Sequence, residues 1–526
     1  MNTLEISTCP AIEQLLAQQA DSDPGFAFYL GHRGRAVSVL TAGYADLELG
    51  VKVTPSTRFH VASLAKPFCA MAALLLVDEG RLSLCDSVSK YLPDLHRAKD
   101  IKILHLLTHT SGLRDQWPLV EMSGWRGNDA VTTEDALNAI FRQRQLNHEP
   151  GQTFRYSNSG YTVLARIIEL VAGRTFRNFC QEKIFDPLDM IDTVFCDDSN
   201  ELVPNRAHAY RLDQSDHGTS RWENFHPNLW VPGPTSLWTS IMDLAKWDNN
   251  FVSPVVGNGT MFSLMQTRST LPGPAGIGLF VSHDTLGETT FHPGNDMGFH
   301  AYYGAFRSQE VSVAVLNNSG YGALQPLALS IAEHFIDCEA SCRTLATNRA
   351  RGNLPELPRG ASYEGLYESD LGEIRRVFVD DHLMMAWDGR SRLTRLGEHR
   401  YSSASGTEQY RFQMTGDGQV EGLSVESLGY KTAWRRLPNH QSRFRITDLL
   451  GKFHSDELQC DIRICQEGTK YFVVFPKEQK HEIIGTTGAV AFADTLWLRI
   501  PDQPARIQEI HLSMPRCLNV LCTRVD

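Results

Sequence analysis

The 526-residue chain has no apolar run long enough to cross a bilayer. Its most continuous apolar stretch, Ala70–Val77, falls far short of the ~20 residues a spanning helix needs. The first residues, Met1-Asn2-Thr3-Leu4-Glu5, show neither the basic start nor the apolar core of a secretion signal. An excess of positive charge is also missing. The net charge of −11 argues against nucleic acid or an anionic membrane as a main partner. The eleven cysteines are odd in number and scattered from Cys9 to Cys522, which fits a reducing compartment better than a disulfide framework. Cys338-x3-Cys342 finds no second pair of ligands, so no zinc site and no other cofactor is expected. Together these absences predict a cytoplasmic protein. What is present is ordinary for a globular chain, with 42% apolar and 21% charged residues and length enough for three domains.

One segment departs from the ordinary. Val61-Ala62-Ser63-Leu64-Ala65-Lys66-Pro67-Phe68 places a hydroxyl and an amine three residues apart, on one face of a helix whose continuation, Cys69–Val77, is almost wholly apolar. Gly80 supplies a stop signal, and Pro67, which has no amide proton to donate, belongs in a first turn. Ser63 is thereby predicted near the positive end of the helix dipole, beside unpaired amides able to hold an oxyanion. Spacing alone is weak evidence, since Ser87-Val88-Ser89-Lys90 repeats it in a polar stretch that reads as surface loop. An ordinary helix cap is the bland alternative for Ser63.

Two later segments change the balance. Tyr156-Ser157-Asn158 precedes a helical apolar pattern, Tyr161–Ile168, and so occupies the loop entering a buried helix. His292-Pro293-Gly294-Asn295 reads as a turn between strands at Thr289–His292 and Phe299–Phe306, with a glycine that lets a ligand approach the backbone. His32-Arg33-Gly34 has the same His-x-Gly form but looks like the turn of an opening hairpin, Phe26–Leu30 and Ala36–Ala42.

The ordered set Ser-x-x-Lys, Tyr-x-Asn, His-x-Gly resembles the penicillin-recognising, class C β-lactamase-like serine hydrolases. Leu106-Leu107-Thr108-His109-Thr110-Ser111-Gly112-Leu113 and Ser240-Ile241-Met242-Asp243-Leu244-Ala245-Lys246-Trp247 add to the likeness, which covers about the first two-thirds of the chain. The resemblance implies Ser63 as nucleophile, with Lys66 or Tyr156 taking its proton; sequence does not choose between a desolvated amine and a cation-stabilised phenolate. It implies that Asn158 holds Lys66 and a substrate carbonyl. The amides of Ser63 and Asn295 would form the oxyanion hole, beside Gly294. His292 stands where many members have lysine. A histidine is mostly neutral near pH 7, so a substrate carboxylate finds less attraction here. That disfavours penicillin and points to esters, amides or free N-termini.

The last third repeats itself. Tyr363-Glu364-Gly365-Leu366-Tyr367-Glu368-Ser369-Asp370 recurs as Leu449-Leu450-Gly451-Lys452-Phe453-His454-Ser455-Asp456, and Val420–Val425 echoes Ile507–Leu512 at nearly the same offset. Strand-forming segments such as Arg376–Val379, Tyr471–Phe475 and Leu496–Ile500, separated by turns such as Gly416-Asp417-Gly418, predict two small antiparallel barrels. The expected architecture is a multidomain α+β chain: a β-lactamase-like α/β domain over 1–345, an antiparallel β-barrel over 346–445 and a duplicated barrel over 446–526. A helical block is expected from Ser63 to about Leu170, broken by a loop at Thr110–Gly127. The long irregular stretch Asp197–Pro234 is expected to wall a cleft, and Trp117 to line it or to anchor packing.

This layout resembles the bacterial D-aminopeptidases, with a local match at Gly112-Leu113-Arg114-Asp115 followed by Trp117. In that family a loop of the last domain reaches the active site and restricts substrates to free amino termini. The corresponding stretch is Phe475–Glu482, and Glu482 or Glu478 is the candidate partner for a substrate ammonium; a solvated hairpin tip is the alternative. The implied function is a D-stereospecific aminopeptidase or amidase acting through an acyl-enzyme on a small peptide, amide or ester. An esterase, or an acyltransferase that cyclises peptides, is the second reading, and a non-catalytic binding protein the third. Self-association as a homodimer is left open.

Overall fold

The computed structural model describes residues 23–525, apart from 128, 214–220, 321–323, 342–362, 381, 388, 404–407, 417, 429, 439–441, 494 and 502–506. The first domain is built on a six-stranded antiparallel sheet. Its strands are β1 (Phe26–His32), β2 (Arg35–Ala42), β3 (Phe280–Asp284), β4 (Gly287–Asp296), β5 (Phe299–Phe306) and β6 (Val311–Asn317), in the spatial order β3-β4-β5-β6-β1-β2. Alternation decides which side chains go where. On β1, Phe26, Phe28 and Leu30 pack with the closing helix, whereas Ala27 and Tyr29 face the helical layer on the other side. Both faces are covered, which explains why β1 and β6 read as continuous apolar runs.

The helices that matter for the site are α1 (Lys66–Asp78), α2 (Gln116–Met122), α3 (Thr133–Phe141), α4 (Asn158–Ala172), α5 (Ile241–Val252) and α6 (Leu324–Ser341). Helix α1 has Pro67 in its first turn and is preceded by a 3-10 turn, Ala62–Ala65, that carries Ser63. Its ten buried side chains include Lys66, so this is a central helix and not an amphipathic surface one. Helix α5 is fixed to the sheet by Asp248, whose carboxylate accepts hydroxyl bonds from Tyr29 (2.8 Å), Tyr303 (2.7 Å) and Ser312 (2.6 Å). Burial raises the pKa of that acid, and the three donors answer it.

Two expectations change. The segment Thr110–Gly127, expected as a loop, contains α2, because Asp115 accepts from the Trp117 amide at its N-terminus and Pro118 sits in its first turn. His292-Pro293-Gly294-Asn295 is not a turn but the end of β4. The turn comes later, at Met297-Gly298. Pro293 is tolerated in this inner strand for a local reason: β3 pairs with β4 only from Gly287 to Phe291, so from His292 onward one edge of β4 is free.

The remaining chain forms two nine-stranded antiparallel sheets, curled and nearly closed, running from Gly365–Ser369 to Tyr430–Arg436 and from Gly451–Ser455 to Cys517–Arg524. They share one topology. In each, the first strand lies beside the last, and the opening falls between the fourth and fifth. Both repeats seen in the sequence fall on equivalent strands, the first and the eighth. The second barrel is not self-contained: Leu119 and Met122 of α2 and Ala139 of α3 enter its core with Phe453, Ile464 and Leu512. Between the barrels, Leu366, Ile374, Val490, Trp497 and Leu518 form a separate apolar contact.

Candidate active site

The candidate site lies where α1, the α4 entrance and the free edge of β4 meet. Ser63 Oγ is held from two sides. Lys66 Nζ lies 3.0 Å away and the Tyr156 hydroxyl donates to it at 2.8 Å. Lys66 Nζ also donates to Asn158 Oδ1 (2.9 Å) and to the Pro234 carbonyl (2.9 Å). Its side chain is fully buried. Asn158 is oriented in turn by Asp115, which accepts from its backbone amide (2.8 Å) and its side-chain amide (3.0 Å). Asp115 therefore caps α2 and orients Asn158 at once, linking the start of one helix to the start of another.

Electrostatics separate the two groups on Ser63. Burial pulls the Lys66 ammonium down to about 7, against the pull of Asp115 and Asp296 in the other direction. Burial pushes the Tyr156 phenol up, a shift that its bond with Ser63 and the charge of Arg516 only moderate. Near neutral pH the amine is thus part neutral and able to accept a proton, while the phenol remains a donor. His109 stacks on Tyr156 with ring centres 4.4 Å apart, and its Nδ1 accepts from the Ser157 amide at 3.2 Å. Burial drives its pKa well down, so it packs as a neutral ring.

Strand β4 presents His292, Gly294 and Asp296 on one face. Burial lowers the pKa of His292 to about 3, with Lys66 adding to the effect, so this residue carries no charge at pH 7. Its ring stacks on Phe280, 4.9 Å between centres, and lies 6.5 Å from the Tyr156 ring. Gly294 is required by contact: a Cβ there would sit 2.1 Å from the Val61 carbonyl oxygen and 3.1 Å from the Leu64 amide. The missing side chain brings the strand carrying Asn295 against the turn carrying Ser63.

A cleft of about 510 Å³ opens over these groups. Ser63, Tyr156, Asn158, His292, Asn295 and Asp296 line one side of it, and Trp117 lines it from α2. The stretch Asp197–Pro234, expected to wall the cleft, supplies none of its lining among the described residues; the next residue, Thr235, does, beside the Pro234 carbonyl that holds Lys66. The barrels supply the far wall. Met385, Ser391, Ser403, Glu408 and Tyr410 come from the first, and Arg516 from a hairpin turn of the second. That turn is anchored through its backbone, since the Arg516 carbonyl accepts from the Asp115 amide (3.0 Å) and from Asn147 Nδ2 (2.8 Å).

Glu482 is not part of this cleft. It lies on a strand of the second barrel and pairs with Lys470 at 2.8 Å. The neighbouring turn does meet the first domain, but at Asp129 through Lys477 and at the Trp125 carbonyl through Gln479. The loop expected to enter the site therefore contacts the first domain outside the cleft lining, and Arg516 enters instead. Sequence reasoning gave no role to Asp115, which it quoted only within a local match, and passed over Thr235, Asp296, Glu408 and Arg516. Asp296 could have been found, because it follows the His-x-Gly segment by alternation. Arg516 could not, since only the tertiary fold brings its hairpin across.

A family model described as "Beta-lactamase" matches residues 12–334. The chain belongs to the beta-lactamase family. Among curated relatives, protein flp of Staphylococcus aureus strain MW2 is 29% identical over 310 residues, covering 56% of this chain and 59% of that protein. The match thus spans less than two-thirds of this relative's length. Among solved structures similar to the family fold seen here, the octameric penicillin-binding protein homologue from Pyrococcus abyssi covers 99% of this chain and 100% of its own, with 20% identity and a TM-score of 0.56. The D-amino acid amidase of Ochrobactrum anthropi SV3, complexed with L-phenylalanine amide, covers 64% of this chain and 100% of its own, with 21% identity and a TM-score of 0.55. At such identities the likeness speaks for the fold. Among the described residues, no helix is long and apolar enough to cross a membrane.

Proposed function

We propose that the protein is a serine hydrolase that works through an acyl-enzyme and releases N-terminal D-amino acids from small peptides, amides or esters. The observation that carries the acyl-enzyme part of this reading is a single one: Ser63 Oγ lies between a fully buried Lys66 and the hydroxyl of Tyr156. In the reaction, neutral Lys66 takes the Ser63 proton as Oγ attacks the substrate carbonyl carbon, and the negative oxygen is received by the Ser63 and Asn295 amides. Collapse of the tetrahedral intermediate breaks the carbon–nitrogen bond. The leaving amine takes a proton through Tyr156, which is replenished from Lys66. Water then repeats the sequence on the ester, releasing the acid and restoring Ser63.

The neutral His292 supports a preference against substrates that need a carboxylate held at this position. The D-selectivity draws on the amidase among the fold neighbours and on the layout of one hydrolase domain followed by two barrels, and it is tested directly. Hydrolysis of D-alanine p-nitroanilide should exceed that of its L-isomer and of its N-acetyl form, and should vanish in Ser63→Ala. Ser63-dependent cleavage of simple esters with no turnover of any anilide would favour an esterase or acyltransferase. One feature favours that second reading. A further cavity of about 380 Å³ shares Tyr156 and Arg516 with the cleft and is lined by Phe154, Tyr430 and Trp434, enough room for a longer acyl group.

A further inference from the structure

With Glu482 outside the cleft, an enzyme that requires a free amino terminus needs another anion near Ser63. Among the described residues, two carboxylates line the cleft, Glu408 and Asp296. Glu408 is already engaged. Arg375 binds both of its oxygens (3.0 and 2.8 Å), and the Tyr410 hydroxyl donates to it at 2.5 Å. A carboxylate held by a bidentate guanidinium offers little to a second cation.

Asp296 differs on every count. Its Oδ2 accepts one hydrogen bond, from the Thr235 hydroxyl at 2.6 Å, and its Oδ1 has no hydrogen-bond partner among the described residues. Its side chain is 18% exposed, and that opening is to the cleft. The His60 ring has Nδ1 4.0 Å from Oδ2 but is neutral, because burial takes its pKa to about 3. The cations beside the site are Lys66 and Arg516, and the first is neutral whenever it acts as a base. Position matters as much as charge. Thr235 follows Pro234, whose carbonyl holds Lys66, and Asp296 follows Asn295 on the strand edge that meets the Ser63 turn.

We propose that Asp296 binds the protonated amino group of the substrate and so determines specificity for free amines. This rests on the aminopeptidase reading above. An ammonium there completes the unused Oδ1 with a charge-assisted hydrogen bond. Burial raises Asp296 to about 6, so the site is anionic near neutral pH and becomes more firmly so when a cation arrives. The bound ammonium also disfavours a second positive charge on Lys66, which holds the base in its neutral form.

The test compares D-alanine p-nitroanilide with propionyl p-nitroanilide, which lacks only the amine, in the intact protein. The ratio of their kcat/KM values should fall at least tenfold in Asp296→Asn, mostly through a higher KM for the amine, while Asp296→Glu, which keeps the charge, should retain a preference for the amine. An unchanged ratio in Asp296→Asn would overturn the assignment, and so would an equal loss on both substrates. If the wild-type protein itself shows no preference for the amine, the aminopeptidase reading fails and this inference falls with it. If the preference exists but survives Asp296→Asn, only the inference fails. Should Asp296→Asn fold poorly, the ratio in Asp296→Glu decides: a preference lost there despite native stability argues against charge as the determinant.

Discussion

Asp115 holds no reacting atom, yet Asp115→Asn should change both the stability of the fold and the basicity of Lys66. Its carboxylate accepts the Trp117 amide at the start of α2 and two donors from Asn158 at the start of α4. An asparagine offers one acceptor and one donor group in the same space. If its oxygen faces Asn158, its amino group faces the Trp117 amide and the cap is lost; the opposite orientation sets donor against donor at Asn158. Hydrogen bonds to a charged group are worth about 1.5–3 kcal/mol each and a cap about 1 kcal/mol, so a loss of roughly 2–4 kcal/mol is expected in denaturant unfolding. The kinetic effect has a sign of its own. Asp115 favours the charged form of Lys66, so removing its charge should lower the lysine pKa below its present value of about 7. Activity requires neutral Lys66, so the acidic limb of the kcat/KM profile should move to lower pH while its plateau falls. A plateau that falls with no movement of the limb would mean that Asp115 serves only as a brace. A limb that moves to higher pH would refute the electrostatic reasoning outright.

Other outcomes follow from the same geometry. In the wild-type protein, kcat/KM should rise with pH through about 7 as Lys66 loses its proton. On a substrate without an amine, the rate two pH units below that point should be down by about a hundredfold, and a flat profile would remove Lys66 as the base. Gly294→Ala places a Cβ against the Val61 carbonyl and must push β4 off the Ser63 turn, so it should lower kcat a hundredfold or more while KM changes little. Glu482→Gln should leave the ratio of free-amine to N-acetyl turnover unchanged, since Glu482 pairs with Lys470 and does not line the cleft. Arg114→Met would leave Glu457 buried without its guanidinium partner, 2.9 Å away in the native contact, and should loosen the second barrel from the first domain, read as faster proteolysis near 445.

The sequence made the first domain readable because its chemistry is local. Ser63 and Lys66 share one helical turn, Tyr156 and Asn158 share one helix entrance, and each pair carries its own periodic apolar flank. The barrels were readable for another reason: duplication shows as self-similarity, and the two repeats fall on equivalent strands of the two sheets. What stayed hidden depends on contacts between distant segments. The place of Pro293 inside a strand follows from where β3 stops pairing, which the local pattern does not show. Arg516 enters the cleft because α2 and α3 complete the core of the second barrel and so fix its orientation. The charged stretch ending at Glu482 looked suited to a substrate amine, but its lysines already pair with Asp129 and Glu467, and Glu482 itself with Lys470. Charge in a sequence does not show which charges are already paired.

The central claim is that Ser63, activated by Lys66 and Tyr156, becomes acylated. The most direct measurement is mass spectrometry of the protein quenched in acid during turnover of D-alanine p-nitrophenyl ester, followed by peptide mapping. The account predicts a single aminoacyl adduct on the peptide that carries Ser63, absent in Ser63→Ala and formed more slowly in Lys66→Ala. Turnover that persists in Ser63→Ala, or an adduct on any other residue, would contradict it.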